Sequence, residues 1–438
     1  MEGRLVLKDC AIFRADGRVR SGMAVVIDHE RICEVAPNNA VTVRPGDWEI
    51  ACQGRLVSAG LVDCHSHLVG GQLLPISGDL LLRPPHQRME LMRTLTGLLR
   101  PPEVEILSAF AMAKAIRAGV TLVVEHLTAP VDVLGSLEIQ ARVAERLGLR
   151  LSNSHASFSG GEIDGEAQVE ANAAYVSQRR AVGLVRPAMG FHASFTSDDS
   201  LLRRLGSFRE RLGAPLQYHL AESEEDLTLT YTRYQKRIVQ RLESFGLLCA
   251  GAVAAYARAI DRGESERLSR TRVLVALSPR TDLAGEPGGG GFEAVFAYPN
   301  LLGLGTGGQG LLWGELVSAF TGVVQIARAG RLLDPDGFMG QLLMSGPAEL
   351  CTMLYGAPSG TVEPGALADL VVFDHLPAEE RPGGLAPHLL LQLGQARVSW
   401  SIINGRVVMR EGQLLGHDFL ELGREAARVL SSLWRRVQ

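Results

Sequence analysis

The sequence predicts an α/β protein of TIM-barrel type, completed by a small β domain built from both chain ends. Three observations carry this. From Leu61 to about Gly346, short apolar runs of strand character alternate with segments of helical period, the signature of a parallel α/β architecture. The strand positions in that stretch approach eight, the count of a TIM barrel. Residues 4–58 and the stretch after about Gly356 are instead rich in strand patterns joined by turns.

In chain order, residues 4–12, 24–27 and 31–36 are short apolar segments, with turns at Asp16-Gly17 and Asp28-His29. Leu56 to Val62 reads as a buried strand. Residues 102–117 carry Val104, Leu107, Ala111 and Ile116 at helical spacing, and Gly119 ends that helix. Strand 120–124, helix 137–147 and strand 150–153 follow. The cycle repeats with helix 166–178, strand 184–189, helix 200–212 and strand 216–219. Residues 225–245 read as one long helix, and strand-like runs follow at 252–255, 273–277 and 301–304. Gly288-Gly289-Gly290-Gly291 reads as a loop, because no Lys-Ser/Thr follows as a phosphate cradle requires. Gly305-Thr306-Gly307-Gly308-Gln309-Gly310 lacks the spacing and acidic partner of a dinucleotide fold. Strands return at 366–374 and 398–409, with a turn at Asn404-Gly405, and are expected to pair with the N-terminal ones. A last helix, 419–434, lines up Leu422, Ala426, Val429, Leu430 and Leu433 on one face, to pack on the barrel or on another subunit. The domains expected are 1–58 with 356–410, 59–355, and a terminal helical segment 411–438.

With 438 residues the chain is too long for one ordinary core. Its 46% hydrophobic and 21% charged residues fit a soluble globular protein. A net charge of -4 offers no footprint for nucleic acid or an anionic membrane. No charge-free apolar run reaches membrane-spanning length, and Met1-Glu2-Gly3-Arg4 leads into a strand pattern without a signal-peptide core. Cys10, Cys33, Cys52, Cys64, Cys249 and Cys351 form no C-x-x-C pair, so free thiols in a reducing cytosol are expected. The expected location is cytoplasmic.

In a barrel, function sits where strands end. Those positions carry His65 and His67, Glu125 and His126, His155, His192, and His219 with Glu222 just after. Side chains two apart in an extended chain share a face, so His65 and His67 leave their strand side by side, as a shared metal ion needs. Taken alone, the pair reads equally as two histidines satisfied in a turn. The recurrence of histidine along one edge favours the metal. His219 would supply a third imidazole, and three protein ligands with an open position is the usual catalytic zinc arrangement. Glu222 then stands where a carboxylate passes a water proton to a leaving nitrogen. Its other reading is a helix N-terminal carboxylate beside Ser223 and Glu224.

These motifs resemble the amidohydrolase superfamily in its cytosine-deaminase-like and chlorohydrolase-like branch. The resemblance rests on Ser58-Ala59-Gly60-Leu61-Val62-Asp63-Cys64-His65-Ser66-His67, on Gly119-Val120-Thr121, on His219-Leu220-Ala221-Glu222, and on the tail Pro364-Gly365-Ala366-Leu367-Ala368-Asp369-Leu370-Val371-Val372-Phe373-Asp374. Gly190-Phe191-His192-Ala193-Ser194-Phe195-Thr196 is similar to the SsnA group of aminohydrolases. The resemblance implies a distorted TIM barrel with a β-sandwich from both termini, and metal-dependent hydrolysis of C–N bonds in purine- or pyrimidine-like rings. It implies His65, His67 and His219 as metal ligands, Glu222 as the proton-shuttling acid, and His192, with His126 and His155, as substrate contacts. The cofactor expected is one divalent ion, zinc ahead of iron, with an empty site as the alternative. The partner expected is a small nitrogen heterocycle, in a homodimer or hetero-complex.

Two positions depart from the family pattern. Tyr256 stands where a histidine follows the sixth strand, and Gly307 replaces the aspartate that closes the eighth strand's Gly-Thr-Asp. Glycine can neither ligate through a side chain nor accept a proton, and losing such a group commonly costs several kcal/mol of transition-state stabilisation. Asp282 or Glu125 could replace the missing carboxylate. Two readings follow: a working or altered C–N hydrolase, and a catalytically silent relative serving as a subunit or ligand-binding scaffold.

Overall fold

Eight strand positions run through the middle of the chain in two parallel arcs. The computed structural model describes residues 3–14, 17–73, 85–129, 131–160, 164–179, 181–280, 294–295, 298–308, 311–328, 330, 334–377 and 393–437. One arc is a four-stranded sheet of Leu61–Ser66, Val120–Leu127, Arg150–His155 and Val185–Pro187. The other is a five-stranded sheet of Met189–Gly190, Leu216–Leu220, Ala252–Tyr256, Leu274–Leu277 and Leu301–Leu304. Val185–Pro187 and Met189–Gly190 are one strand position divided at Ala188, each half pairing with a different arc. At that seam Ser157 and Phe191 form a parallel bridge. At the other seam no strand ladder forms among the described residues. There Gly307 N–H donates to His65 C=O at 3.0 Å, and Thr306 N–H to Asp63 at 2.9 Å. The result is a distorted TIM-type barrel.

Alternation decides what each strand sends inward. Val62, Cys64, Leu122, Val124, Val253, Leu274 and Ala276 share an interior cluster, closed at one end by Leu350 and Cys351. The alternate residues, among them Val123, Leu127, Leu151, Leu216, Tyr218 and Leu220, pack outward against the helices. Burying these two layers is the main favourable term, at roughly 25 cal/mol per Å² of apolar surface.

The chain ends form one nine-stranded sheet, mostly antiparallel. Leu56–Ala59 pairs with Leu370–Phe373, so N-terminal and C-terminal strands meet as expected. The sheet curls over a core shared by Leu7, Val25, Ile50, Val57, Val372 and Ile402. Trp48 meets Trp400 edge-on at 6.5 Å, although their strands lie far apart in the sheet order. Asp369, from the tail motif, receives Arg150 Nε at 2.7 Å and Asn404 N–H at 2.8 Å. Arg150 is buried, so this ion pair ties the barrel to the curled sheet.

Two differences from the sequence reading have local causes, and one open alternative is resolved. The expected helix 225–245 is two helices, Glu224–Tyr234 and Ile238–Ser244, broken where Gln235 turns left-handed at φ +52°. The helix Leu312–Arg328 lies outside the elements the pattern predicts, its β-branched Val317, Thr321, Val323, Val324 and Ile326 weakening the helical signal. The terminal helix Phe419–Val437 packs on Pro101–Arg117, with Phe419 on Phe110 at 5.4 Å and Arg436 paired to Glu103 at 2.5 Å. All six cysteines are free, and no helix among the described residues is long and apolar enough to cross a membrane.

Candidate metal centre

His65, His67, His126 and His219 converge at the end of the barrel, each able to place one ring nitrogen within 4.8 Å of the others'. His65 and His67 leave the first strand with rings 4.8 Å apart and nearly perpendicular. His219 comes from the fifth strand position, inward by alternation with Tyr218 and Leu220. Its ring lies 5.0 Å from His65 and 5.2 Å from His67. His126 follows Leu122 and Val124 on the inward face of the second strand, 5.1 Å from His219.

The nitrogens define the site more sharply than the rings. His67 Nδ1 donates to His126 C=O at 2.6 Å, which fixes the tautomer and leaves Nε2 as a lone pair. That Nε2 stands 3.1 Å from His219 Nε2. Two nitrogens bound to one tetrahedral zinc at ordinary distances are about 3.3 Å apart. His65 Nε2, both nitrogens of His126, and His219 Nδ1 are buried without a hydrogen-bond partner. Such orphans cost about 1–3 kcal/mol each unless something satisfies them. Burial, then repulsion from neighbouring imidazoles, holds His65 and His126 well below the usual histidine range and His67 at about 4. These rings are therefore neutral at pH 7, as metal donors must be. The donor set fits a divalent ion of the zinc type.

Around this cluster the remaining side chains divide. Glu222 sits before the helix Glu224–Tyr234, whose N-cap is Ser223. A Glu222 carboxylate oxygen is 3.4 Å from His219 Nδ1, within ion-pair range but outside hydrogen-bond geometry. His192 lies beside His219 with ring centroids 4.8 Å apart. The Thr196 hydroxyl donates to Ala193 C=O and stands 3.0 Å from His192 Nδ1, so His192 donates there and keeps Nε2 as an acceptor. His155 does not join the cluster. It shares the outward face of its strand with Leu151, and its nitrogens meet Ala129 N–H and Ser157 Oγ.

Glu125 does not supply the missing carboxylate. It faces outward between Val123 and Leu127, accepting Leu68 N–H at 2.7 Å and Gln140 Nε2 at 2.9 Å. Asp282 lies outside the described residues. Gly307 adopts φ +54° and offers the site only backbone. Tyr256 takes the place of the expected histidine, its ring 5.3 Å from His65 and 4.9 Å from His219. Tyr256 and Ala257 are both left-handed, at φ +76° and +54°, a conformation costing of order 1–3 kcal/mol per residue that persists only where surroundings enforce it. Here Ala257 N–H bonds Leu220 C=O at 2.8 Å, beside His219. Sequence reasoning missed Asp63, which accepts Thr306 N–H at 2.9 Å and Thr306 Oγ1 at 2.7 Å, and which burial pushes up to about 7.

The Amidohydrolase family profile matches residues 56–278, just over half of the chain and all of these histidines. The chain belongs to the amidohydrolase family. This amidohydrolase is 24% identical over 449 residues to a 5-methylthioadenosine/S-adenosylhomocysteine deaminase of Desulforudis audaxviator, covering 99% of this chain and 100% of that one. It is 23% identical to a 5'-deoxyadenosine deaminase of Methanothermobacter thermautotrophicus, covering 91% of each. Among solved structures it superposes on an adenosine deaminase from Xanthomonas campestris with bound zinc, at a TM-score of 0.85, 20% identity and 98% coverage of each chain. At that identity the superposition speaks for the fold.

Proposed function

We propose that this amidohydrolase is a metal-dependent aminohydrolase that removes the exocyclic amino group of an adenosine-like substrate. The observation that carries the reading is the convergence of His65, His67 and His219, with two Nε2 atoms 3.1 Å apart and Glu222 beside them. Relatives named as deaminases of adenosine derivatives, matching over nearly the whole chain, support the substrate class. Zinc, the ion in the Xanthomonas campestris structure, is the favoured metal.

His65, His67 and His219 would hold the ion. When bound, such an ion supplies Lewis acidity and brings the pKa of a water toward 7. Hydrolytic deamination exchanges C–NH2 for C=O, with water supplying the oxygen and ammonia leaving. Glu222 takes a proton from the attacking water at its carboxylate and delivers it to the departing nitrogen, a step worth about a hundredfold or more. His192 Nε2 accepts an N–H or O–H of the substrate and orients the ring. Tyr256, buried against His65 and His219, narrows the site and limits water.

Metal-loaded protein is expected to release ammonia from adenosine, 5'-deoxyadenosine, methylthioadenosine or S-adenosylhomocysteine, and metal-stripped protein is not. Equal background release from both, across all four, rejects the reading. Gly307 and Tyr256 favour a second reading, a scaffold that binds the nucleoside without turnover. Saturable adenosine binding by metal-loaded protein, with no ammonia formed, would select it.

A further inference from the structure

We infer that His126 is a fourth metal ligand, taking over from the second strand the position that Gly307 leaves vacant at the end of the eighth. This rests on the reading that the cluster holds a metal.

Three observations carry it. His126 is wholly buried, and neither of its ring nitrogens has a hydrogen-bond partner. A neutral imidazole always carries one N–H and one lone pair, so both are orphaned in an interior where each costs about 1–3 kcal/mol. His126 also falls inside the same group of nitrogens as His65, His67 and His219, all within 4.8 Å. Its backbone carbonyl receives His67 Nδ1 at 2.6 Å, so the strand that presents the His126 ring also orients a neighbouring ligand. Beside His65 and His67, the Gly305-Thr306-Gly307 turn has no free side chain to offer. Its Gly307 N–H is spent on His65 C=O, and Thr306 Oγ1 on Asp63. His155 provides the contrast: an equally buried histidine one strand away, with both nitrogens engaged.

A substrate contact is the competing role for His126. It predicts no effect on metal binding without substrate. The test therefore uses the full-length chain and no substrate. Zinc content and retention against graded chelator are measured for wild type, His126→Gln, His65→Ala and the surface control His417→Gln. X-ray absorption of the wild-type zinc protein counts imidazole ligands independently of any variant. The expected result is one zinc in wild type and His417→Gln, four imidazoles in the absorption spectrum, and a loss of affinity of about a hundredfold or more in His126→Gln. That floor follows because outer-shell partners alone are worth about 10–100-fold. Wild-type zinc affinity in His126→Gln with three imidazoles in the spectrum, while His65→Ala loses the metal, overturns the inference and leaves the metal-dependent reading standing. No stoichiometric zinc in wild type overturns both.

Discussion

Replacing Gly305 by alanine tests whether the second seam of the barrel sets the metal centre. A Cβ built at Gly305 lies 2.7 Å from His65 Cβ and 2.8 Å from both its N and its O. All three atoms belong to His65, a proposed ligand, and two are backbone, so no flexible side-chain tip can swing away. Reaching ordinary contact would part the first and eighth strands by about 0.7 Å. The turn cannot retreat freely, because Thr306 N–H is held by Asp63 at 2.9 Å and Gly307 N–H by His65 C=O at 3.0 Å. Overpacking of this kind costs about 1–3 kcal/mol. A metal site tolerates only about 0.2 Å in its ligand distances, so the affinity should fall by about tenfold or more. The measurements are thermal unfolding with and without zinc, and zinc retention against chelator. Gly322→Ala is the comparison, since nothing lies within 4 Å of its added Cβ on a helix, and it should gain about 0.5–1 kcal/mol. Gly305→Ala with wild-type melting and wild-type zinc retention would refute the reasoning.

Glu222→Gln should lower ammonia release by about a hundredfold or more with zinc content unchanged, read by steady-state turnover and elemental analysis; loss of zinc instead would place Glu222 among the ligands. Glu125→Gln should flatten the pH dependence of stability. Burial pushes Glu125 up to about 8, so the folded chain keeps a proton that the unfolded chain releases, and stability falls as pH climbs from about 4.5 to about 8. The amide can still accept Leu68 N–H and, after a flip, donate to Gln140 Oε1, so urea unfolding should show the variant gaining on wild type at about pH 9 but not at about pH 5; parallel pH profiles would count against it.

How far the site could be read in advance follows from the range of each determinant. The convergence of His65, His67 and His219 was legible from local spacing, although counting inward from Val62 and Cys64 would turn His65 outward and only the register shift between Asp63 and Ser66 brings it in. On the other strands the same period separates more than the sequence reading used. Counting from Leu122 and Val124 sends His126 inward and Glu125 outward, and counting from Leu151 sends His155 outward. The reading of His126 and His155 as substrate contacts set the two side by side, whereas their strands face them to opposite sides. Other features depend on contacts distant in sequence. Asp63 meets Thr306 across 243 residues, and Arg150 meets Asp369 across 219, so no local pattern announces either bond. The left-handed backbone at Tyr256 and Ala257 is equally hidden, since neither residue type favours it and neighbouring strands impose it.

The departure from the family pattern at Gly307 has a structural setting in the Gly305–Gly308 turn. At Gly308 an added Cβ would lie 2.5 Å from His67 O, and at Gly305 2.7 Å from His65 Cβ, so this turn lies with its backbone against the segment that carries both histidines. Close backbone approach is what glycine permits, and it excludes a ligating side chain at Gly305 or Gly308. With Gly307 also lacking one, a ligand could enter only from a neighbouring strand whose inward face reaches the same point, and among the described residues His126 does so. An imidazole there, unlike a carboxylate, would bring no negative charge to a bound divalent ion, which would give the Glu222 carboxylate, 3.4 Å from His219 Nδ1, an electrostatic weight in the site.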